Sequence, residues 1–466
     1  MRPRMGAVPI SLPGAATLLQ ASPASPSSFP SNFVWGAAAA AYQIEGAVHE
    51  DGRGTSIWDT FSHTPGKVLN GDSGDVACDH YHRWREDLAL MRELGVGAYR
   101  FSIAWPRIIP DGRTEANAAG LDWYERLVDG LLENGIQPWA TLYHWDLPQP
   151  LEDAGGWPSA DTADAFAHYA EAVGRRLGDR VHNWITLNEP WCSAFLGYQI
   201  GVHAPGKRDP RLALAATHTL LLAHGRAVEI LRSTSPSARV GIVLNPAHVE
   251  PATTDEADVA AARRADGYHN RWFLEPLYGR GYPADMLDHF APHFAPPPDA
   301  DLRVIAAPTD FLGVNYYRPT IVRADPTDAF LGARSVQSPD DPVTQMDWVV
   351  RPSSLRQLLV RLHRDYSVGS LAVTENGAAY ADPPAVDGHV HDPERTHYLA
   401  EHIDAVGQAI GDGVPVMAYF VWSLLDNFEW AQGYSNRFGV VHVDFATQQR
   451  TLKDSGRWYR SLIAPS

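Results

Sequence analysis

"NWITLNEPW", Asn183 to Trp191, begins as a buried strand and ends on chemistry. Trp184, Ile185 and Leu187 are strand formers, but the run closes on Asn188 and Glu189, and Pro190 stops it. "LAVTENG", Leu371 to Gly377, repeats the arrangement with Thr374, Glu375 and Asn376 ahead of a glycine. A buried carboxylate is costly without a partner. Two apolar runs that each finish on one raise the question of what fold brings such ends together.

Working outward, the same kind of run recurs until there are eight. "FVWGAAAA" starts at Phe33, "GAYRFSIAW" at Gly97, "QPWATLYHW" at Gln137 and "VHNWITLNEP" at Val181. "RVGIVLN" starts at Arg239, "DFLGVNYY" at Asp310, "SLAVTENG" at Ser370 and "PVMAYFVWSLL" at Pro415. Near-continuous apolarity without strict alternation fits strands buried on both faces of a parallel sheet. Helical periodicity lies between them. In Asp79 to Leu94, Tyr81, Trp84, Leu88, Met91 and Leu94 recur every three or four residues, with Asp79 expected as cap and Gly95 following the end. Leu121 to Asn134 repeats the pattern before Gly135. Further helices are expected from near Ser159, Ser353 and Asp392, with Pro393 in a first turn, and a last one capped by Asp454.

Strand then helix, eight times over, predicts an α/β fold, the (β/α)8 TIM barrel. No Gly-rich dinucleotide turn follows the first strand, which argues against a doubly wound sheet. Residues 29–466 are expected to form one barrel domain and residues 1–28, an Ala/Ser/Pro-rich stretch, a disordered leader. The segments Gly46 to Cys78, Ala247 to Pro308 and Arg318 to Pro352 are too long for plain connections. All three follow strand C-terminal ends, so they should wall the face on which barrel enzymes keep their sites.

Composition removes several function classes. A formal charge of −17 disfavours nucleic acid and anionic membrane surfaces as partners. No apolar run reaches the length of a membrane span. Two cysteines, Cys78 and Cys192, make no disulfide framework and suit a reduced, cytoplasmic setting. A homo-oligomer is left open.

Polar residues gather at the ends of the eight runs: Gln43 and Glu45 after the first, Arg100 and Trp105 at the second, His144 and Trp145 at the third. Asn188 and Glu189 follow, then Asn245, Asn315 with Tyr317, Glu375, and finally Trp422 with Glu429 and Trp430. In a barrel all of them converge on one mouth, so the apolar part of each run fills the wall and its tip lines a pocket. Paired carboxylates with amides, an arginine and tryptophans suit a sugar, whose hydroxyls need bidentate partners. Glycoside cleavage needs one acid to protonate the leaving oxygen and a second carboxylate near the anomeric carbon.

The motifs "FVWGAAAAAYQIEG", "YRFSIAWPRI", "TLYHWDLPQ", "TLNEPW", "FLGVNYY", "VTENG" and "WSLLDNFEWAQGYSNRFG" together resemble the β-glucosidases of glycoside hydrolase family 1, from about Phe29 to the C-terminus. The resemblance implies Glu189 as general acid/base, Glu375 as nucleophile, and Arg100 and Tyr317 as partners holding Glu375 ionised. It implies Asn188 against the sugar 2-OH, and Gln43, His144, Glu429 and Trp430 against the non-reducing hydroxyls. Trp422 would be the stacking platform, with Asn315 also at the sugar, and Trp191, Leu196, His203, Asn245 and Trp348 would line the leaving-group side. The activity it implies is retaining exo-hydrolysis of terminal β-D-glucosyl residues from cellobiose, short oligosaccharides and aryl β-glucosides, with no cofactor or metal. β-Galactosidase or β-fucosidase activity is an alternative, as is 6-phospho-β-glucosidase activity. The phospho-specific relatives lack an acid beside the tryptophan, and Glu429 argues against them here.

The chemistry is consistent with these roles. A guanidinium beside the nucleophile should lower its pKa, and an acid among Trp184, Leu187 and Trp191 should stay protonated. Plainer readings stand beside them: Glu189 could cap the next helix, Arg100 could be a structural ion pair, Trp422 core filling and Gln43 a turn residue. "GDVACDHYHRW" with Asp75, Cys78, Asp79, His80 and His82 invites a metal, as do His389 and His391 in "DGHVHD". The first, however, has the register of a helix start, and neither offers a closed ligand set.

Overall fold

The computed structural model describes residues 29–464; the leader expected at residues 1–28 lies outside them. Eight strands close into one parallel barrel. They are β1 (Val34–Ala38), β2 (Ala98–Ser102), β3 (Gln137–Tyr143), β4 (Asn183–Asn188), β5 (Arg239–Leu244), β6 (Phe311–Asn315), β7 (Leu371–Asn376) and β8 (Val416–Trp422). Each pairs with its neighbours in chain order, and β1 pairs with both β2 and β8, which closes the ring. Each lies inside the apolar run that announced it. Strands β2, β4, β6 and β7 are buried at every position, because helices cover the outside and side chains fill the inside.

The barrel floor is aromatic. Trp139 packs against Phe420 at 5.0 Å and Phe311 at 5.2 Å between ring centres. Gly36 makes room for this layer, since a Cβ there would stand 2.4 Å from the Phe420 ring. Large rings are thus matched to a position without a side chain, as close packing requires.

Around the barrel run α1 (His80–Leu94), α2 (Ala118–Glu133), α3 (Ala160–Leu177), α4 (Pro210–Thr234), α5 (Asp299–Ile305), α6 (Pro352–Tyr366), α7 (Pro393–Gly411) and α8 (Asp454–Ile463). Gly95 ends α1 in the left-handed region at φ 80°. Two expected caps are absent. Asp79 precedes α1 but makes no capping bond, because His82 and Arg83 take its carboxylate. Asp454 is the first residue of α8, not its cap, and its carboxylate bonds His391. A distant partner takes the carboxylate of Asp454, and side chains of the helix's own first turn take that of Asp79.

The long insertions build local structure of their own. Val249–Pro251, Thr320–Ala324 and Ala333–Val336 form a small three-stranded sheet outside the barrel. A helix, Glu256–Asp266, packs Ala261, Ala262 and Ala265 against Val322 of that sheet. On the other flank, the loops after β7 and β8 are tied by buried charges. Lys453 Nζ lies 2.7 Å from Asp426 and also pairs with Asp382, while Arg395 bridges Asp382 and Asp392. Arg437 completes the group at 2.8 Å from Asp426.

Candidate active site

Each barrel strand delivers its polar tip to the same mouth. Arg100 rises from β2, Asn188 and Glu189 from the end of β4, Asn315 from β6 and Glu375 from β7, where Glu375 pairs in register with Asn315. The side chains form one buried network. Arg100 donates to Glu375 Oε1 at 2.5 Å and to Asn188 Oδ1 at 2.6 Å. Tyr317 Oη donates to Glu375 Oε2 at 2.5 Å. Asn315 Nδ2 donates to Glu189 Oε1 at 2.5 Å and to Asn188 Oδ1 at 3.0 Å. Both carboxyls line one cavity, near enough that the Glu375 charge acts on Glu189.

The backbone is bent to achieve this. Glu189 leaves the strand with φ at 46°, its N–H held by the Val243 carbonyl at 2.9 Å. Trp145 at φ 81° and Trp430 at φ 51° share that conformation and line the same cavity. A left-handed non-glycine residue costs about 1–3 kcal/mol, and three around one pocket mark a site where geometry outranks local stability. Gly377 is required next to Glu375, because a Cβ there would meet the Trp422 carbonyl oxygen at 1.8 Å.

The cavity, about 340 Å³, is lined by Glu189, Glu375, Glu429, His144, Asn245, Asn315, Tyr317, Trp348, Trp422 and Trp430. Trp191, Leu196 and His203 also reach it. Arg100 and Asn188 lie behind this lining, gripping it. Gln43 is fully buried, with Nε2 bonded to Asn427, to the Phe428 carbonyl and to Glu429 Oε2 at 3.3 Å. Its Oε1 has no protein partner among the described residues. Trp105 departs from the pattern: it sits in the turn Trp105–Ile108, stacked on Tyr169 at 5.1 Å, and belongs to the core.

Asn188 fixes the state of His144. Its Oδ1 already accepts from Arg100 and Asn315, so its Nδ2 must face His144 Nε2 at 3.0 Å. Nε2 therefore accepts, and the proton resides on Nδ1. Burial and the Arg100 charge agree, holding His144 far below its usual pKa.

The acids are set apart electrostatically. Burial, and then the Glu375 charge, push Glu189 up to about 7. Burial also raises Glu375 above its ordinary value, against the opposing pull of Arg100, Tyr317 and Asn315. The lowering expected from the guanidinium is present but does not win, because the carboxyl is removed from water altogether. Glu429 rises to about 8 through burial and the Glu375 charge. Such an array can protonate a leaving oxygen from one carboxyl while a second, nearby, offers a lone pair.

Other residues join the site that the strand-end pattern missed. Cys192 Sγ lies 3.0 Å from Glu189 Oε2 and 3.5 Å from Asn245 Nδ2. Its only signal was position, three residues past Glu189 in the following helical segment. His269, Arg318, Met346 and Phe438 come from the insertions or the last loop and carried no strand-end signature. The histidines considered for metals have other partners: His80 Nδ1 is 2.7 Å from Asp87, and His391 bonds Asp454.

The family model "Glycosyl hydrolase family 1" matches residues 25–466. The chain is 50% identical over 437 residues to β-glucosidase A of Thermotoga maritima, covering 93% of this chain and 97% of that protein. It is 47% identical to a bifunctional β-D-glucosidase/β-D-fucosidase of Bifidobacterium breve, covering 94% and 98%. The solved structure of the Thermotoga maritima family 1 β-glucosidase superposes with a TM-score of 0.91 at 49% identity, over 93% of this chain and 98% of the other.

Proposed function

The chain belongs to glycosyl hydrolase family 1, and from that premise we propose that it is a retaining exo-β-glucosidase. It removes terminal non-reducing β-D-glucosyl residues from cellobiose, short β-linked oligosaccharides and aryl β-glucosides. The observation that supports this best is the buried network joining the two acids: Asn188 Oδ1 accepts from Asn315, which holds Glu189, and from Arg100, which holds Glu375 together with Tyr317. Retaining chemistry needs two carboxyls about 5–5.5 Å apart facing one sugar, and these two line the same cavity.

In this proposal Glu375 attacks the anomeric carbon while Glu189 gives its proton to the departing oxygen. Glycosylation removes the Glu375 charge, so Glu189 becomes more acidic and takes a proton from the incoming water. The water oxygen bonds the anomeric carbon and the ester to Glu375 breaks. Asn188 faces the 2-OH; Gln43, His144, Glu429 and Trp430 read the outer hydroxyls; Trp422 supports the ring. Asn245 and Trp348 face the leaving group. Residues 29–466 are the unit that carries this chemistry, in a cytoplasmic setting and with cellulose-derived oligosaccharides as one source of substrate.

Arg437 argues against a 6-phosphate substrate, because its guanidinium is committed to Asp426 at 2.8 Å. β-Fucoside hydrolysis is a second reading, favoured by the likeness to the bifunctional Bifidobacterium breve enzyme. Few contacts read any one hydroxyl, so the penalty for a missing or inverted one is small. NMR of the first sugar released from an aryl β-glucoside tests the proposal: β-glucose is expected first, and α-glucose first, or preference for the 6-phosphate, overturns it.

A pH profile follows from the acids. The rate kcat/KM requires Glu189 protonated and Glu375 ionised, so it falls as pH rises through about 7 and again as pH drops through the lower pKa of the pair. The Cys192 S–H stabilises the charged form of Glu189. Cys192→Ala should therefore move the alkaline limb upward and leave the acid limb in place. An unmoved alkaline limb removes Cys192 from the role of positioning and tuning Glu189.

A further inference from the structure

The outer half of the cavity carries a cation that no acid among the described residues neutralises. Arg318 follows Tyr317 directly and lines the pocket beside Trp348, with its guanidinium carbon 5.8 Å from that ring. The other arginines of the segment joining β6 to α6 all have acids: Arg323 has Asp258, Arg334 has Asp325, and Arg351 has Glu250 and Asp341. Among the described residues Arg318 has none, and crowding by the protein lowers its pKa with no carboxylate to oppose the shift. Its side chain is nonetheless exposed at the rim, so a ligand can reach it.

Its surroundings narrow what that ligand is. The inner half of the cavity holds Glu375, ionised in the active enzyme, and its charge repels an anion. Trp348, beside Arg318, and Trp191, whose ring centre lies 4.4 Å from that of His269, also line the cavity. His269 is held neutral, pushed down to about 4 by burial and by the Arg318 charge, so it offers no competing cation. A planar group packed on indole, with negative charge at its outer end, fits this lining. A chain with net charge −17 otherwise discourages anionic substrates, so any such preference must arise locally.

We propose that Arg318 makes the leaving-group half of this site selective for aryl β-glucosides whose aglycone bears a carboxylate. This rests on the β-glucosidase reading of the inner half and adds the class of aglycone. An isolated, partly exposed guanidinium–carboxylate contact is worth about fivefold in apparent affinity, felt in KM more than in kcat.

The test compares 4-carboxyphenyl and 4-carbamoylphenyl β-D-glucosides, which share shape and differ in charge. The ratio of their kcat/KM values is measured for the wild type, Arg318→Gln and Arg318→Lys, at low and high salt. The ratio cancels any general loss of activity in a variant. It should fall about fivefold in Arg318→Gln, fall less in Arg318→Lys, and decline with salt in the wild type and Arg318→Lys but not in Arg318→Gln. A wild type active on both substrates with a ratio unmoved by Arg318→Gln or by salt overturns this inference alone. A wild type inert on both overturns the β-glucosidase reading beneath it.

Discussion

Glu375→Gln is expected to lower kcat for 4-nitrophenyl β-glucoside about ten-thousand-fold or more. The substitution preserves shape and removes the nucleophilic charge, so no glucosyl ester forms. It should also cost stability. Arg100 is buried, and Glu375 is its only ion-pair partner among the described residues. Replacing that carboxylate by an amide leaves a buried guanidinium without its counter-charge, a loss of a few kcal/mol. Thermal melting should therefore show a lower Tm alongside the lost turnover. Unchanged hydrolysis in a folded variant would remove Glu375 from the nucleophile's role.

Glu189→Ala behaves differently on both counts. Hydrolysis of substrates with poor leaving groups should fall about 100- to 10,000-fold, the range supplied by a positioned acid and base. An activated aryl glucoside needs little help to depart, so its glucosyl-enzyme accumulates and only the second step is slow. Azide requires no general base, and it should restore turnover on the activated substrate and yield β-glucosyl azide. Poor leaving groups should gain nothing from azide. The stability change differs as well. Glu189 has no cation partner among the described residues, so deleting it strands an Asn315 donor but no buried charge, and the loss of Tm should be smaller than for Glu375→Gln. Azide rescue that ignores the leaving group contradicts the acid/base assignment.

The barrel was legible because its signal is repeated. Each of β1 to β8 is short and apolar with a polar residue at its end or just beyond, and burial on both faces leaves little room for another reading. What escaped depended on which side chains meet, some far along the chain and some within the next turn. Asp79 and Asp454 have the composition of caps, yet histidines and an arginine draw their carboxylates away. Trp105 stands at a strand end like Trp145 and Trp422, but stacking on Tyr169 takes it into the core. The Glu375 shift turned on a contest between burial and a guanidinium, whose outcome depends on the depth of the site. Cys192 and Arg318 carry no motif. The first matters through one contact with Glu189, and the second through a partner it lacks, which only a complete set of neighbours can reveal.

The buried charges around Lys453 give the two flanks of the mouth different freedom to diverge. Lys453, Asp426, Asp382 and Arg395 interlock the loops after β7 and β8 with the starts of α7 and α8. Losing one member strands its neighbours in a dry interior at a cost of about 3–5 kcal/mol, so drift there must proceed by paired changes or not at all. The wall beyond Asn245 hangs on a small sheet outside the barrel. Descendants of this chain, natural or made, can therefore exchange departing groups by altering that wall while the glucose-reading side stays as it is.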